Sequence, residues 1–91
     1  MSASVRIPTI LQTYTAGQGT VTVEAATLTE LLDGLESAYP GIRARLVDDT
    51  GALRRFVNVY VDDDDVRFLD GLATPIRDGA AVSIIPAVAG G

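Results

Sequence analysis

The chain has no cysteine, no histidine and no lysine. Without cysteine there is no disulfide framework and no thiolate nucleophile, and without cysteine and histidine together there is no Cys/His zinc site and no imidazole general base. Without lysine no G-x-x-x-x-G-K-S/T phosphate loop is possible. The same absence means that no side-chain amine can accept an isopeptide bond from a second copy. Lysine-linked chains of this protein are chemically excluded. All seven basic residues are arginine, against twelve acidic ones, for a net charge of −5 and a pI near 4.3. An acidic domain without a basic stripe is a poor match for nucleic acid or an anionic membrane and suits an electropositive protein partner. Residues 1–15 lack a basic start followed by an apolar stretch, and no run approaches membrane-spanning length. The expectation is a cytoplasmic protein with neither nucleic acid nor membrane as partner and no metal site.

What is present is one small domain's worth of alternating and helical pattern in 91 residues, 47% of them apolar. Val5 and Ile7 share one face of a strand over 4–11, with Pro8 marking an edge, a bulge or its end. After a turn at 15–19, Thr20 to Glu24 alternates and pairs back as a hairpin arm. Thr27 with Glu30 forms a capping-box signature, and Leu28, Leu31, Leu32 and Leu35 make the stripe of an amphipathic helix, extended by Ala38 and Tyr39 and ended by Pro40-Gly41. Residues 42–46 suit one further helical turn. Arg55 to Val61 reads as a strand with Val57, Val59 and Val61 buried and Phe56, Asn58 and Tyr60 opposite. Asp62 to Asp65 is a polar connection into a short strand at Val66-Arg67-Phe68. Leu72 to Ile76 is irregular, and residues 80–85 form a last strand after the Asp78-Gly79 turn.

One helix covers one face of a four- or five-stranded sheet, a two-layer α+β arrangement. A mixed sheet with the last strand central and parallel to the first accommodates this order, which is the β-grasp, or ubiquitin-like, architecture. The reading assigns 1–86 to the β-grasp domain and 87–91, Ala87-Val88-Ala89-Gly90-Gly91, to a flexible C-terminal tail. Two glycines make a thread thin enough to enter another protein's active site. From Pro86 onward, six extended residues reach roughly 20 Å.

The order Asp78-Gly79 turn, apolar strand with Val82 and Ile84, Pro86 and Gly90-Gly91, together with Val57-Asn58-Val59 and Leu72, resembles the ThiS/MoaD family of ubiquitin-like sulfur carriers. The segments 4–11, 55–61, 65–68, 71–74 and 86–91 resemble most the branch serving cysteine biosynthesis. The resemblance implies that the Gly91 carboxylate is adenylated by a separate E1-like enzyme using ATP and magnesium, then converted to a thiocarboxylate. It implies a sulfur-accepting synthase as second partner: a pyridoxal-phosphate, cysteine-synthase-like enzyme first, or one of molybdopterin, thiazole or thiosugar assembly. A JAMM-type metalloprotease is implied as a further partner, releasing cysteine from the carrier's terminus. The chain itself then binds no cofactor and is a cosubstrate, not an enzyme. Ala87 to Gly91 enter partner active sites.

The residues agree with that chemistry from their own side. A free carboxylate is a poor electrophile, and with no phosphate-binding motif of its own the chain depends on a partner for activation. The open sheet face carries Arg6, Phe56, Tyr60 and Ile85 as a docking patch, since aromatic residues and arginine are typical interface anchors. The aspartate run 62–65 is a solvated turn with, at most, a steering role toward a basic partner. Two other functions fit the same pattern: a modifier conjugated through Gly91 to lysines of other proteins, and a β-grasp adaptor whose glycine pair is incidental.

Overall fold

The computed structural model describes residues 1–86. The expectation of a flexible tail at 87–91 lies outside the described residues. Strands β1 (Ser2–Arg6) and β2 (Thr20–Glu24) are followed by helices α1 (Leu28–Ala38) and α2 (Arg43–Leu46), then β3 (Val57–Val61), β4 (Asp64–Asp65) and β5 (Ala80–Pro86). They form one five-stranded sheet in the order β2-β1-β5-β3-β4. β5 is central, parallel to β1 and antiparallel to β3. This is the β-grasp arrangement.

Alternation decides which face is buried. Val5, Val21, Val23, Val57, Val59, Val61, Val82 and Ile84 join one buried core with Leu28, Leu31, Leu32 and Leu35 of α1, which have essentially no exposed surface. Each fully buried side chain of this size contributes about 1.5–3 kcal/mol. Thr27 accepts the Glu30 amide at 3.3 Å, but the Glu30 carboxylate reaches the amide of Ala26, not that of Thr27. The reciprocal half of the capping box is thus shifted by one residue. Ala38 is exposed and does not extend the apolar stripe, whereas Tyr39 packs against the core. The turn at α2 buries Ile42 and Leu46.

Two expected strands are different in the structure. β1 stops at Arg6, and residues 9–11 form a 3-10 turn after Pro8, because proline cannot continue a ladder. Val66–Phe68 is also a 3-10 turn rather than a strand. The Asp65 carboxylate accepts the Arg67 amide at 2.9 Å, an N-terminal cap that closes the turn. The fourth strand is instead the aspartate pair 64–65, reached through Asp62 and Asp63, both at positive φ. That left-handed pair is the conformation required of a two-residue hairpin.

Candidate functional site

The site to be built is the base from which residues 87–91 leave the fold. β5 is hydrogen-bonded on both sides, and its last residue, Pro86, lies opposite Val57 of β3. Val82 and Ile84 are buried in the core, so the strand is fixed from below as well as laterally.

On the other face no element covers the sheet among the described residues. Thr20, Arg6, Ser83, Tyr60 and Asp65 align in one row across all five strands. Arg6 and Tyr60 flank the central strand at Ser83, about 10 Å apart at a strand spacing of 4.7–4.9 Å. One pleat closer to the tail, Asn58 pairs with Ile85, which is 47% exposed. Arg6, Tyr60 and Ile85 therefore share the open face.

Phe56 does not join them on a strand. β3 begins at Val57, whose amide closes a turn on the Arg54 carbonyl at 3.0 Å. Phe56 stands in the preceding turn, 55% exposed, and lines a cavity of about 390 Å³ with Ile10, Tyr14, Arg45, Ile84 and Pro86. The cavity is bounded partly by buried-face residues, so Phe56 stands at the end of the sheet where its two faces meet. Arg45 is held there by a 2.8 Å bond from its Nε to the Tyr14 hydroxyl.

A third feature stiffens this end. β4 pairs only with Tyr60 and Val61, leaving the start of β3 as a bare edge. Arg67 covers it. Its guanidinium donates to Asn58 Oδ1 at 2.6 Å, to the Val57 carbonyl at 2.9 Å and to the Arg55 carbonyl at 3.4 Å. A side chain thus takes the place of a missing strand. Sequence reasoning saw Arg67 only as part of a strand and did not single out Ile10, Tyr14 or Arg45. The signal for Arg67 was local: Asp65 two residues ahead is a cap that turns the chain back toward β3.

Two carboxylates tie the loops behind this end. Glu36 accepts the amides of Gly41 and Arg43, which depress its pKa, joining the end of α1 to the start of α2. Asp48 is depressed by the Thr50 hydroxyl and amide, closing the 48–52 loop. In the aspartate run, Asp62 accepts the Ala81 amide at 2.9 Å, so Asp62 and Asp65 have structural partners. Among the described residues no helix is long and apolar enough to cross a membrane.

A mixed sheet whose last strand is central and parallel to the first, with the main helix packed on one face, defines the ubiquitin-like β-grasp proteins. The model of the ThiS family matches residues 5–91, and the chain belongs to that family. Sulfur carrier protein CysO of Mycobacterium tuberculosis is 53% identical over 93 residues, covering all of both chains. A crystal structure of CysO from that organism matches with a TM-score of 0.91 at 51% identity, over 94% of this chain and 99% of that one. A chain in the crystal structure of the Amycolatopsis orientalis BexX/CysO complex matches with a TM-score of 0.92 at 50% identity, over 98% and 99% of the two chains. Small archaeal modifier protein 3 of Haloferax volcanii is 46% identical over 66 residues, 72% of this chain and 71% of its own.

Proposed function

We infer that this chain is a sulfur carrier that acts as a protein cosubstrate rather than as a catalyst. The observation that carries the reading is 53% identity, over all of both chains, to a protein named sulfur carrier protein CysO. Cysteine is the first choice of product.

In this reading a Gly91 carboxylate oxygen attacks the α-phosphorus of ATP on an E1-like enzyme, which supplies the magnesium site, and pyrophosphate leaves. A sulfide-level donor then adds to the acyl carbon and expels AMP, giving the thiocarboxylate. Sulfur is the softer, more nucleophilic atom, as in thiolate chemistry. A synthase partner receives it, and a JAMM-type metalloprotease releases the finished amino acid. Tethering sulfur to a docked domain orients it and replaces a freely diffusing reagent. Arg6, Tyr60 and Ile85 on the open face serve docking, with Phe56 beside them at the tail end, and Ala87 to Gly91 enter the partner's site.

The likeness to a small archaeal modifier protein favours one second reading, attachment of Gly91 to lysines of other proteins. Intact-protein mass spectrometry after co-expression with the activating enzyme separates the two. A carrier heavier by one oxygen-to-sulfur exchange supports the first reading. Glycine remnants on lysines of other proteins, without the sulfur form, support the second.

A further inference from the structure

We propose that the outer edge of β2 is a second interaction surface, which takes an extended segment of a partner protein as an added strand, the segment alternating basic and apolar residues. The site goes beyond the carrier reading and does not rest on it.

The ladder geometry leaves this edge open. The Ile7 amide donates to the Gly19 carbonyl at 2.8 Å, and the Ala25 amide to the Met1 carbonyl at 2.7 Å. These bonds bracket the β1–β2 register, so Val21 and Val23 turn their backbone groups toward β1. Thr20, Thr22 and Glu24 turn theirs outward. β2 ends the sheet order, and among the described residues no hydrogen bond reaches the amide or carbonyl of these three. Three donors and three acceptors at i, i+2 and i+4 are the complement of another extended backbone.

The sheet's other edge is closed. β4 has two residues, and the Arg67 guanidinium takes the Val57 carbonyl beside it. β2 has five residues, a regular register without a bulge, no proline and a single charge at its end.

Space and charge select the occupant. Beside β2, about 340 Å³ opens between Val23 and Glu24 on the strand and Gly34, Ser37 and Ala38 on α1. Added residues paired with Thr20, Thr22 and Glu24 share the open face with them, and the residues between point into this groove. The small residues on α1 leave room there for branched apolar side chains. On the open face of β2, Glu24 has 77% of its side chain exposed and only the N-terminal ammonium beside it, at 3.6 Å. It suits a basic residue.

A second copy fits poorly. A β-carbon at Gly34 would lie 3.8 Å from the Glu24 carbonyl oxygen, so α1 stands against the edge strand itself. Antiparallel pairing of two β2 strands, about 4.8 Å apart, brings two such helices together on one face, where their axes need about 8–10 Å. A segment without a helix avoids that clash. Thr20 is level with Ser83 of β5, and the edge runs from there to Glu24, level with Ser2, away from Pro86. A partner held here leaves the tail end of the sheet uncovered.

The test titrates the full chain with a seven-residue synthetic peptide of alternating lysine and valine, followed by amide NMR. Binding is expected to shift the Thr20, Thr22 and Glu24 amides most and to slow their hydrogen exchange. The lysines pair with the edge and the valines enter the groove. N-methylation of the lysine amides therefore weakens binding about tenfold, whereas N-methylation of the valine amides, which point to solvent, leaves it unchanged. Ala38→Trp, which fills the groove from an exposed helix position, weakens binding about tenfold with the melting temperature unchanged. The two methylated peptides carry the same charge, so equal binding by both marks simple attraction to an acidic protein and overturns the inference. So do shifts centred on Phe56 and Ile85, no shift at millimolar peptide, or pairing of two copies through the same amides without peptide.

Discussion

Gly34 lies in α1 directly over β2, and a methyl group there would stand 2.7 Å from Val23 Cγ1. Carbon atoms in contact prefer about 3.5–4.0 Å, so Gly34→Ala requires helix and sheet to separate by about 1 Å or Val23 to change rotamer. Val23 is β-branched and 7% exposed, so it has little freedom to move. Over-packing of this kind costs about 1–3 kcal/mol. Against it, alanine is favoured over glycine inside a helix by about 1 kcal/mol. A deficit near 1 Å against a stiff side chain puts the cost in the upper part of its range. The net is a destabilisation of about 1–2 kcal/mol, or roughly 5–15 °C in melting temperature for a domain of this size. Thermal unfolding followed by circular dichroism measures it. The Val23→Ala background isolates the cause: there the contact is gone, and Gly34→Ala becomes neutral or stabilising. A Gly34→Ala variant that melts at or above wild type, or that is equally damaging with and without Val23, refutes the reasoning.

Ile85→Asp, at an exposed position on β5, leaves the melting temperature within a few degrees but raises KM in adenylation; unchanged KM argues that the open sheet face is not used for docking. Glu36 has a pKa lowered by the Gly41 and Arg43 amides. Its stabilising effect is therefore full above the ordinary carboxylate value and is lost as pH falls through the depressed folded value. Glu36→Gln lowers stability near neutrality, and denaturant titrations of variant and wild type converge in acid; a gap that stays constant or widens on acidification contradicts the assignment.

Much of the frame was legible because its signals are local and periodic. The valines at 57, 59 and 61 and the leucines at 28, 31, 32 and 35 fix the buried faces by spacing alone. The same alternation put Arg6, Tyr60 and Ile85 on the opposite face. Errors arose where a local turn, cap or proline, and not periodicity, sets the boundary. Phe56 falls outside its strand because it sits in a turn closed by the Val57 amide on the Arg54 carbonyl. Val66-Arg67-Phe68 alternates like a strand, yet three residues cannot outweigh the Asp65 cap. Ile10 and Leu11 look like strand residues until Pro8 ends the ladder. Ile10, Tyr14, Arg45 and Phe56 carry no shared motif; only the topology brings them together beside Pro86.

The central claim concerns one carboxyl group, and intact-protein mass spectrometry addresses it directly. Co-expressed with the activating enzyme and a sulfur source, the wild-type chain is predicted to gain a fraction heavier by one oxygen-to-sulfur exchange, localised to Gly91. Deletion of Gly91, or one residue added after it, abolishes that fraction without changing the melting temperature, since the buried core is built from residues up to Ile84. A wild-type chain that never acquires sulfur, or an extended chain that acquires it without being trimmed, contradicts the account.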